Sequence, residues 1–420
     1  MTSDTRRLGR SLALPRPPSP RPASSGSRNN EGAPRGRAEI VARIPRRLSP
    51  SLFSGLCSFS PIASASGTAA LLVAVLLLLA LLATACAPAA ATSSIAVVPA
   101  PTPTPDTPRP IVFPRDEAPH NDLTEWWYYT GHLKTASGKE YGFEFVIFQA
   151  VRQQSPVGYA AHFAITDLQR RTFTYEERSD QSLKVQGNGH YQLSVAGWKM
   201  EGDGNGNDTH LLAQGKQYGI DLKLHSLKPP MLHNGAGWIS FGPAGDSYYY
   251  SRSRMEIQGT IGDHGKNESV TGLAWMDHQW GDFIIVNGGG WDWYSAQLSD
   301  GSDVMVTVLR DQPGNVAATY GSYSDREGKV TNLEPADISV TATGSWTSPL
   351  TGAKYPSGWK VHLPKQGLDL TIDPVLPDQE LDTRKTTGVA YWEGDVRITG
   401  TRDGTPISGQ GYVELTGYAP

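Results

Sequence analysis

Two hydrophobic patterns divide the chain. From Ala69 to Ala85 the residues read AALLVAVLLLLALLATA, an uncharged apolar run that is short for a bilayer-spanning helix and of the right length for a signal-peptide core. From Ile111 onward the apolar residues come in short, often alternating runs such as YGFEFVIFQ (Tyr141–Gln149) and DVMVTVLRD (Asp303–Asp311), separated by turns of Gly, Asp and Asn. That pattern predicts strands. With 45 Gly and 31 Pro in 420 residues, many turns are favoured over long helices, and an all-β fold is expected.

The strand pattern occurs twice. WWYYTGHL at Trp126 lines up with WDWYSAQL at Trp291, YGIDLKLH at Tyr218 with QGLDLTID at Gln366, SYYYS at Ser247 with VAYWE at Val389, and VTGLAWMDHQWG at Val270 with ISGQGYVELTGY at Ile407. The offsets are 165, 148, 142 and 137 residues in that order, as a duplication with shorter loops in its second copy produces. Each copy is large enough for an antiparallel barrel, whose closure removes exposed strand edges; one large sandwich is the alternative. The expected organisation is a disordered extension plus signal peptide over 1–85, a tether over 86–112, and two tandem lipocalin-like barrels over 113–284 and 285–420.

Composition changes the picture at the front of the chain. Residues 1–85 hold 11 of the 37 basic side chains and only Asp4, Glu31 and Glu39 of the 41 acidic ones. The formal charge of -4 therefore conceals a body near -12, and with no basic stripe nucleic acid is not an expected partner. The two cysteines, Cys57 and Cys86, both precede the strand region, which leaves no disulfide framework or cysteine-based zinc site there. Ala83-Thr84-Ala85-Cys86 resembles a bacterial lipobox, with Ala where Leu is commoner at the first position. Cys86 is then the expected lipidation site, and the chain is placed in the cell envelope, outside the cytoplasm and lipid-anchored to the membrane. A single-pass anchor with an incidental cysteine is the other reading. The stretch after Cys86, APAAATSSIAVVPAPTPTPDTPRP, suits an extended spacer.

Several motifs together, HNDLTEWWYYTGHL (His120–Leu133), SYYYSRSRM (Ser247–Met255), GLAWMDHQWGDF (Gly272–Phe283), GWDWYSAQLSDG (Gly290–Gly301), and YWEGDVRITG with GQGYVELTGY near the C-terminus, resemble the AttH/CrtC-like family. The resemblance covers residues 111–420 and implies two lipocalin-like domains. The family includes secreted proteins tied to ABC-type export systems and the carotenoid 1,2-hydratases, or hydroxyneurosporene synthases. It implies that Asp277 matches an aspartate thought to protonate an isoprenoid double bond; Trp275 stands where the hydratases carry Tyr.

Asp277 and His278 are the candidate catalytic residues. An acid among aromatic walls, Trp275 and Trp280, acquires a raised pKa on burial and serves as a proton donor. A strand-end hydrogen-bond network is the competing role for Asp277, since the second copy has Glu414 there, whereas His278 is replaced by Leu415. Alternation places Trp126 and Tyr128 on one face of the opening strand and Glu125 and Trp127 on the other. Glu125 needs a partner if buried, and Arg252 or His120 is available. Glu125, Trp126, Tyr128, His162, Tyr250, Arg252, Trp275 and Trp280 are the candidate ligand-binding residues. No serine-hydrolase elbow, metal-ligand spacing or nucleotide fingerprint is present, so no metal or other cofactor is expected. The expected function is an anchored lipoprotein binding a lipid or isoprenoid-like molecule, serving an ABC-type export system; a cofactor-independent hydro-lyase acting on an isoprenoid alkene is the alternative.

Overall fold

The computed structural model describes residues 108–420 except 153–154, 188–189, 203–206, 242–244, 284–288 and 313. Cys86, the apolar run and most of the tether lie outside the described residues. The first sheet is built from β1 (Thr124–Thr135), β2 (Glu140–Ala150), β3 (Val157–Asp167), β4 (Thr172–Ser182), β5 (Gln192–Val195), β6 (Trp198–Gly202), β7 (Asp208–Gln214), β8 (Tyr218–Ser226), β9 (Met231–Leu232), β10 (Trp238–Ser240), β11 (Asp246–Asp263) and β12 (Lys266–Gly281). The second comprises β13 (Gly290–Leu298), β14 (Asp303–Arg310), β15 (Val316–Ser324), β16 (Val330–Leu333), β17 (Ser339–Thr347), β18 (Lys354–Leu363), β19 (Leu368–Pro374), β20 (Glu380–Asp382), β21 (Ala390–Arg402) and β22 (Thr405–Leu415).

The two sheets share one connectivity. The first runs 4-3-2-1-12-11-8-7-6-5 and the second 16-15-14-13-22-21-19-18-17. In each, the opening strand pairs with both the second and the last strand, and the path breaks between the fourth and fifth. Register repeats too: Asp277 lies opposite both Tyr128 and Ser251, and Glu414 opposite both Trp293 and Glu393. These are the equivalences that the sequence offsets give. The protein is therefore two tandem antiparallel β-barrels, the first nearly closed. Across its gap, Arg178 on β4 donates to the Ala196 and Gln214 carbonyls (2.6 and 2.8 Å) and lies 4.1 Å over the Trp198 ring, substituting side-chain bonds for the missing ladder.

Strands such as β7 and β8 alternate between buried and solvent-facing positions. β1, β2, β3 and β12, by contrast, contain long runs buried on both faces. One face fills the barrel lumen, where Trp127, Tyr129, Phe143, Phe145, Trp198 and Met276 pack together. The other faces the second barrel across a polar seam. There Lys228 bonds Asp303 (2.7 Å), His132 meets Asp395 (3.1 Å), and Gln297 donates to the Ser253 and Ala274 carbonyls (2.8 and 2.9 Å). Residues 108–122 form a strap over one end of barrel one. Phe113 meets the Tyr250 ring edge-on at 4.9 Å, and Trp127 Nε1 donates to the Glu117 carbonyl (3.1 Å).

Candidate functional site

Strand alternation decides which candidates can act together. On β12, Trp275 and Asp277 face the seam, while Met276, His278 and Trp280 face the lumen. On β1, Trp126 and Tyr128 face the seam, and Glu125 and Trp127 the lumen. Asp277 and His278, expected to act as a pair, are thus divided by the sheet. Two separate clusters result.

The seam cluster centres on buried carboxyls. Asp277 Oδ1 accepts from Ser251 and from Trp275 Nε1 (2.8 Å). Ser251 is in turn bonded by His233 Nε2 (2.7 Å), whose Nδ1 meets Ser322 Oγ (3.0 Å). Because the Ser251 hydroxyl donates to Asp277, this chain does not form a nucleophilic triad. Burial raises the Asp277 carboxyl to about 7, against the bonds from Ser251, Trp275 and Tyr249. From the opposite side of the pseudo-symmetric seam come Glu393 and Glu414, with Glu144 on β2. Tyr128 donates to Glu393 (2.9 Å), Tyr391 to Glu144 (2.6 Å) and Trp291 Nε1 to Glu414 (2.6 Å). Burial raises Glu144 to about 7 and Glu414 to about 8, and lifts Glu393 well above the carboxylate range with Glu414 and Glu144 adding to it. Among the described residues none of these four acids has a Lys or Arg ion-pair partner. Solvent reaches the cluster's edge, where Trp126, Phe148, Trp291, Tyr320 and Glu414 are only partly buried. Trp126 and Trp291 stack across the seam at 6.5 Å.

The second cluster sits in the lumen, where the strap meets the barrel. Glu125 Oε1 accepts from His120 Nδ1 (2.7 Å) and His278 Nε2 (2.8 Å), and Oε2 from the His120 backbone N–H (2.8 Å) and Gln149 Nε2 (2.9 Å). Burial opposes ionisation of Glu125, but the histidine bonds outweigh it and hold its pKa below the ordinary value. His278 is kept neutral by burial, at about 4, and its Nδ1 meets Tyr250 Oη (3.2 Å). His120 titrates at about 9, because its bonds to Asp116 and Glu125 overcome burial.

Several expectations need correction. Of the two partners offered to Glu125, it takes His120 and not Arg252, which is buried in the lumen, bonded to Glu117 and 5.7 Å from the Phe113 ring. Trp280 does not wall Asp277, since it stacks on His120 at 4.2 Å on the other face. Tyr250 belongs to the lumen with His278, and His162 to the seam, bonded to Tyr391 (2.7 Å) and Thr386 (3.1 Å) and kept neutral, at about 3, by burial. One grouping also escapes the sequence spacing: the side-chain donor atoms of His120, Glu125 and His278 lie within 4.8 Å of one another, close enough to share an ion. Glu144, Glu393, His233 and Tyr391 were missed as well. A signal existed for Glu144, a lone acid inside the apolar run YGFEFVIFQ.

The AttH-like family profile matches residues 104–418. An AttH protein of Nitrosomonas europaea is 31% identical, with 74% of this chain and 98% of that one covered and a TM-score of 0.68. Kievitone hydratase of Nectria haematococca is 15% identical over 73% of this chain and 93% of its own, with a TM-score of 0.60, a likeness of fold. No curated protein matches the sequence. On the family match and the identity over three quarters of its length, the chain belongs to the AttH-like family.

Proposed function

We propose that this chain is an exported, lipid-anchored protein that takes an apolar small molecule carrying a hydroxyl or similar handle into the seam between its barrels. The observation carrying this reading is the seam itself: partly exposed aromatic side chains face one another around four acids that have no Lys or Arg ion-pair partner among the described residues. Protonated carboxyls donate hydrogen bonds without the cost of burying a charge, and aromatic walls cover apolar surface, the combination that small-molecule sites use. The lumen of barrel one, packed with Trp and Phe, is not the binding place in this reading. Export and anchoring through Cys86 rest on the apolar run and its small-residue boundary, and service to an ABC-type export system on the family resemblance.

A second reading is favoured by one residue. Asp277, held protonated up to about 7, suits a general acid working near neutrality. Protonation of an alkene by Asp277, addition of water to the cation and return of the added water's surplus proton to the Asp277 carboxylate would make the chain a hydro-lyase. The test is to incubate the full chain with membrane lipid extract, re-isolate it and identify retained molecules by mass spectrometry, alongside Trp126→Ala and Asp277→Asn. Binding predicts a retained apolar compound that Trp126→Ala loses. Catalysis predicts a compound changed in mass by one water with wild type and unchanged with Asp277→Asn. Retention of nothing by wild type would refute both.

A further inference from the structure

The lumen cluster is separate from the seam and points to a different chemistry. We propose that His120, Glu125 and His278 bind one divalent transition-metal ion of the zinc class, with a coordination position open toward the adjoining cleft. The three donors already converge: Glu125 Oε1 lies 2.7 Å from His120 Nδ1 and 2.8 Å from His278 Nε2, and all three ligand atoms lie within 4.8 Å of one another. Around an ion with bonds of about 2.0–2.2 Å, tetrahedral neighbours stand roughly 3.3–3.5 Å apart. The carboxylate oxygen and each ring nitrogen therefore need to separate by roughly 0.5–0.8 Å, and the two ring nitrogens, within 4.8 Å of each other, need to settle at the same spacing. His120 sits on the strap and not in a ladder, which makes that shift inexpensive.

The outer contacts are those a metal site needs. Each imidazole has a partner for its remaining nitrogen, His120 Nε2 at 3.5 Å from Asp116 Oδ1 and His278 Nδ1 at 3.2 Å from Tyr250 Oη. The second Glu125 oxygen is occupied by the His120 backbone N–H and Gln149. Such partners fix tautomer and ring orientation. They leave His120 Nδ1 and His278 Nε2 both directed at Glu125 Oε1, so an ion would enter by displacing these two hydrogen bonds. Two histidines with one carboxylate suit zinc or iron(II), whereas calcium and magnesium prefer sets of oxygens. Access runs through His120, which lines an open cleft of about 1070 Å³ whose charged side chains, Asp122 and Asp282 with Arg152 and Lys184, balance; Glu125 and His278 lie buried behind it. The competing role for the cluster is a hydrogen-bonded clasp that only fastens the strap.

The test uses the full chain, purified in detergent without a histidine tag, stripped with chelator and titrated with Zn²⁺ and Co²⁺. The expected result is about one ion per chain and the visible absorption of four- or five-coordinate cobalt. His278→Asn and Glu125→Gln should each lower affinity tenfold or more, and Asp116→Asn, which leaves the ligands in place, by about 10–100-fold. His225→Ala, at an exposed histidine, should change nothing. Failure of wild type to take up an ion would overturn the proposal in favour of the clasp. So would wild-type uptake by a His278→Asn protein whose circular dichroism shows it folded; if that variant does not fold, unchanged affinity in Asp116→Asn overturns it instead.

Discussion

Replacing Asp277 by Asn should flatten the dependence of stability on pH between 5 and 7. The side chains are nearly isosteric, and an amide oxygen still accepts from Ser251 and Trp275, so the change chiefly removes the titration. In the unfolded chain the Asp277 carboxyl has its ordinary value of 3.8, and burial raises it to about 7 in the fold. A carboxyl raised in this way contributes its full stability below the unfolded value. Between the two values the unfolded chain has released the proton and the native one has not, so stability falls with rising pH, and it levels off above the folded value. The slope for one group is 1.36 kcal/mol per pH unit, so Asp277 removes about 2–3 kcal/mol between pH 5 and 7. His162, His233 and His278, lowered to about 3, 3 and 4 by burial, act in the opposite sense below pH 6.5. Their contribution is common to both proteins and cancels in the difference. Urea unfolding of the full chain and of Asp277→Asn at pH 5, 6 and 7 measures that difference directly. Parallel pH dependences in the two proteins would refute the reasoning, because they would mean that Asp277 is already ionised in the native seam.

Two further changes test the seam as a structural joint. Lys228→Met removes three 2.7 Å bonds, to Asp303 and to the Gly301 and Asp325 carbonyls; because the buried Asp303 keeps Arg254 at 2.7 Å, the cost should be about 3 kcal/mol, at the low end for a broken buried pair, whereas Lys134→Met at the exposed Lys134–Glu140 pair should cost under about 1 kcal/mol by the same unfolding measurement. Gly142→Val should destabilise by about 1–3 kcal/mol, since even a Cβ there would lie 2.5 Å from the Tyr412 hydroxyl and 2.8 Å from Asp395 Oδ2. Faster proteolysis at the joint between the barrels should accompany that change, and unaltered proteolysis would show that the seam does not close on Gly142.

The fold was legible because duplication is a long-range signal carried by short-range pattern. The pairing of Tyr128 with Asp277 and of Trp293 with Glu414 is what offsets of 165 and 137 residues require. The seam was less legible. A strand buried on one face alternates, but β1, β2 and β12 are buried on both, and their near-continuous apolar runs do not say which face meets the lumen. Glu144 and Glu393 come together only when the second barrel docks on the first, and no local pattern in either copy records that docking. The lumen cluster was legible in part: His120 was one of the two partners the sequence offered Glu125, and it is the one the structure shows, but His278 arrives beside them only through the ladder that pairs it with Trp127.

The division of Asp277 from His278 has a different origin, because period-two alternation applies to β12 as fully as to β1. Applied to Glu125 and Trp126, it assigned each side chain to the face it occupies. Applied to Asp277 and His278, it forbids a shared site, however suggestive two adjacent titratable residues are. Adjacency brings side chains together in a turn, where the backbone reverses, but on an extended strand it sends them to opposite sides of the sheet. A strand buried on both faces thus serves two sites from one short motif. AWMDHQWG supplies Trp275 and Asp277 to the seam, and His278 and Trp280 to the lumen cluster. A substitution at position 277 should therefore leave Glu125 and its histidines intact, and one at 278 should leave the seam acids intact, so the two sites can be tested independently within a single strand.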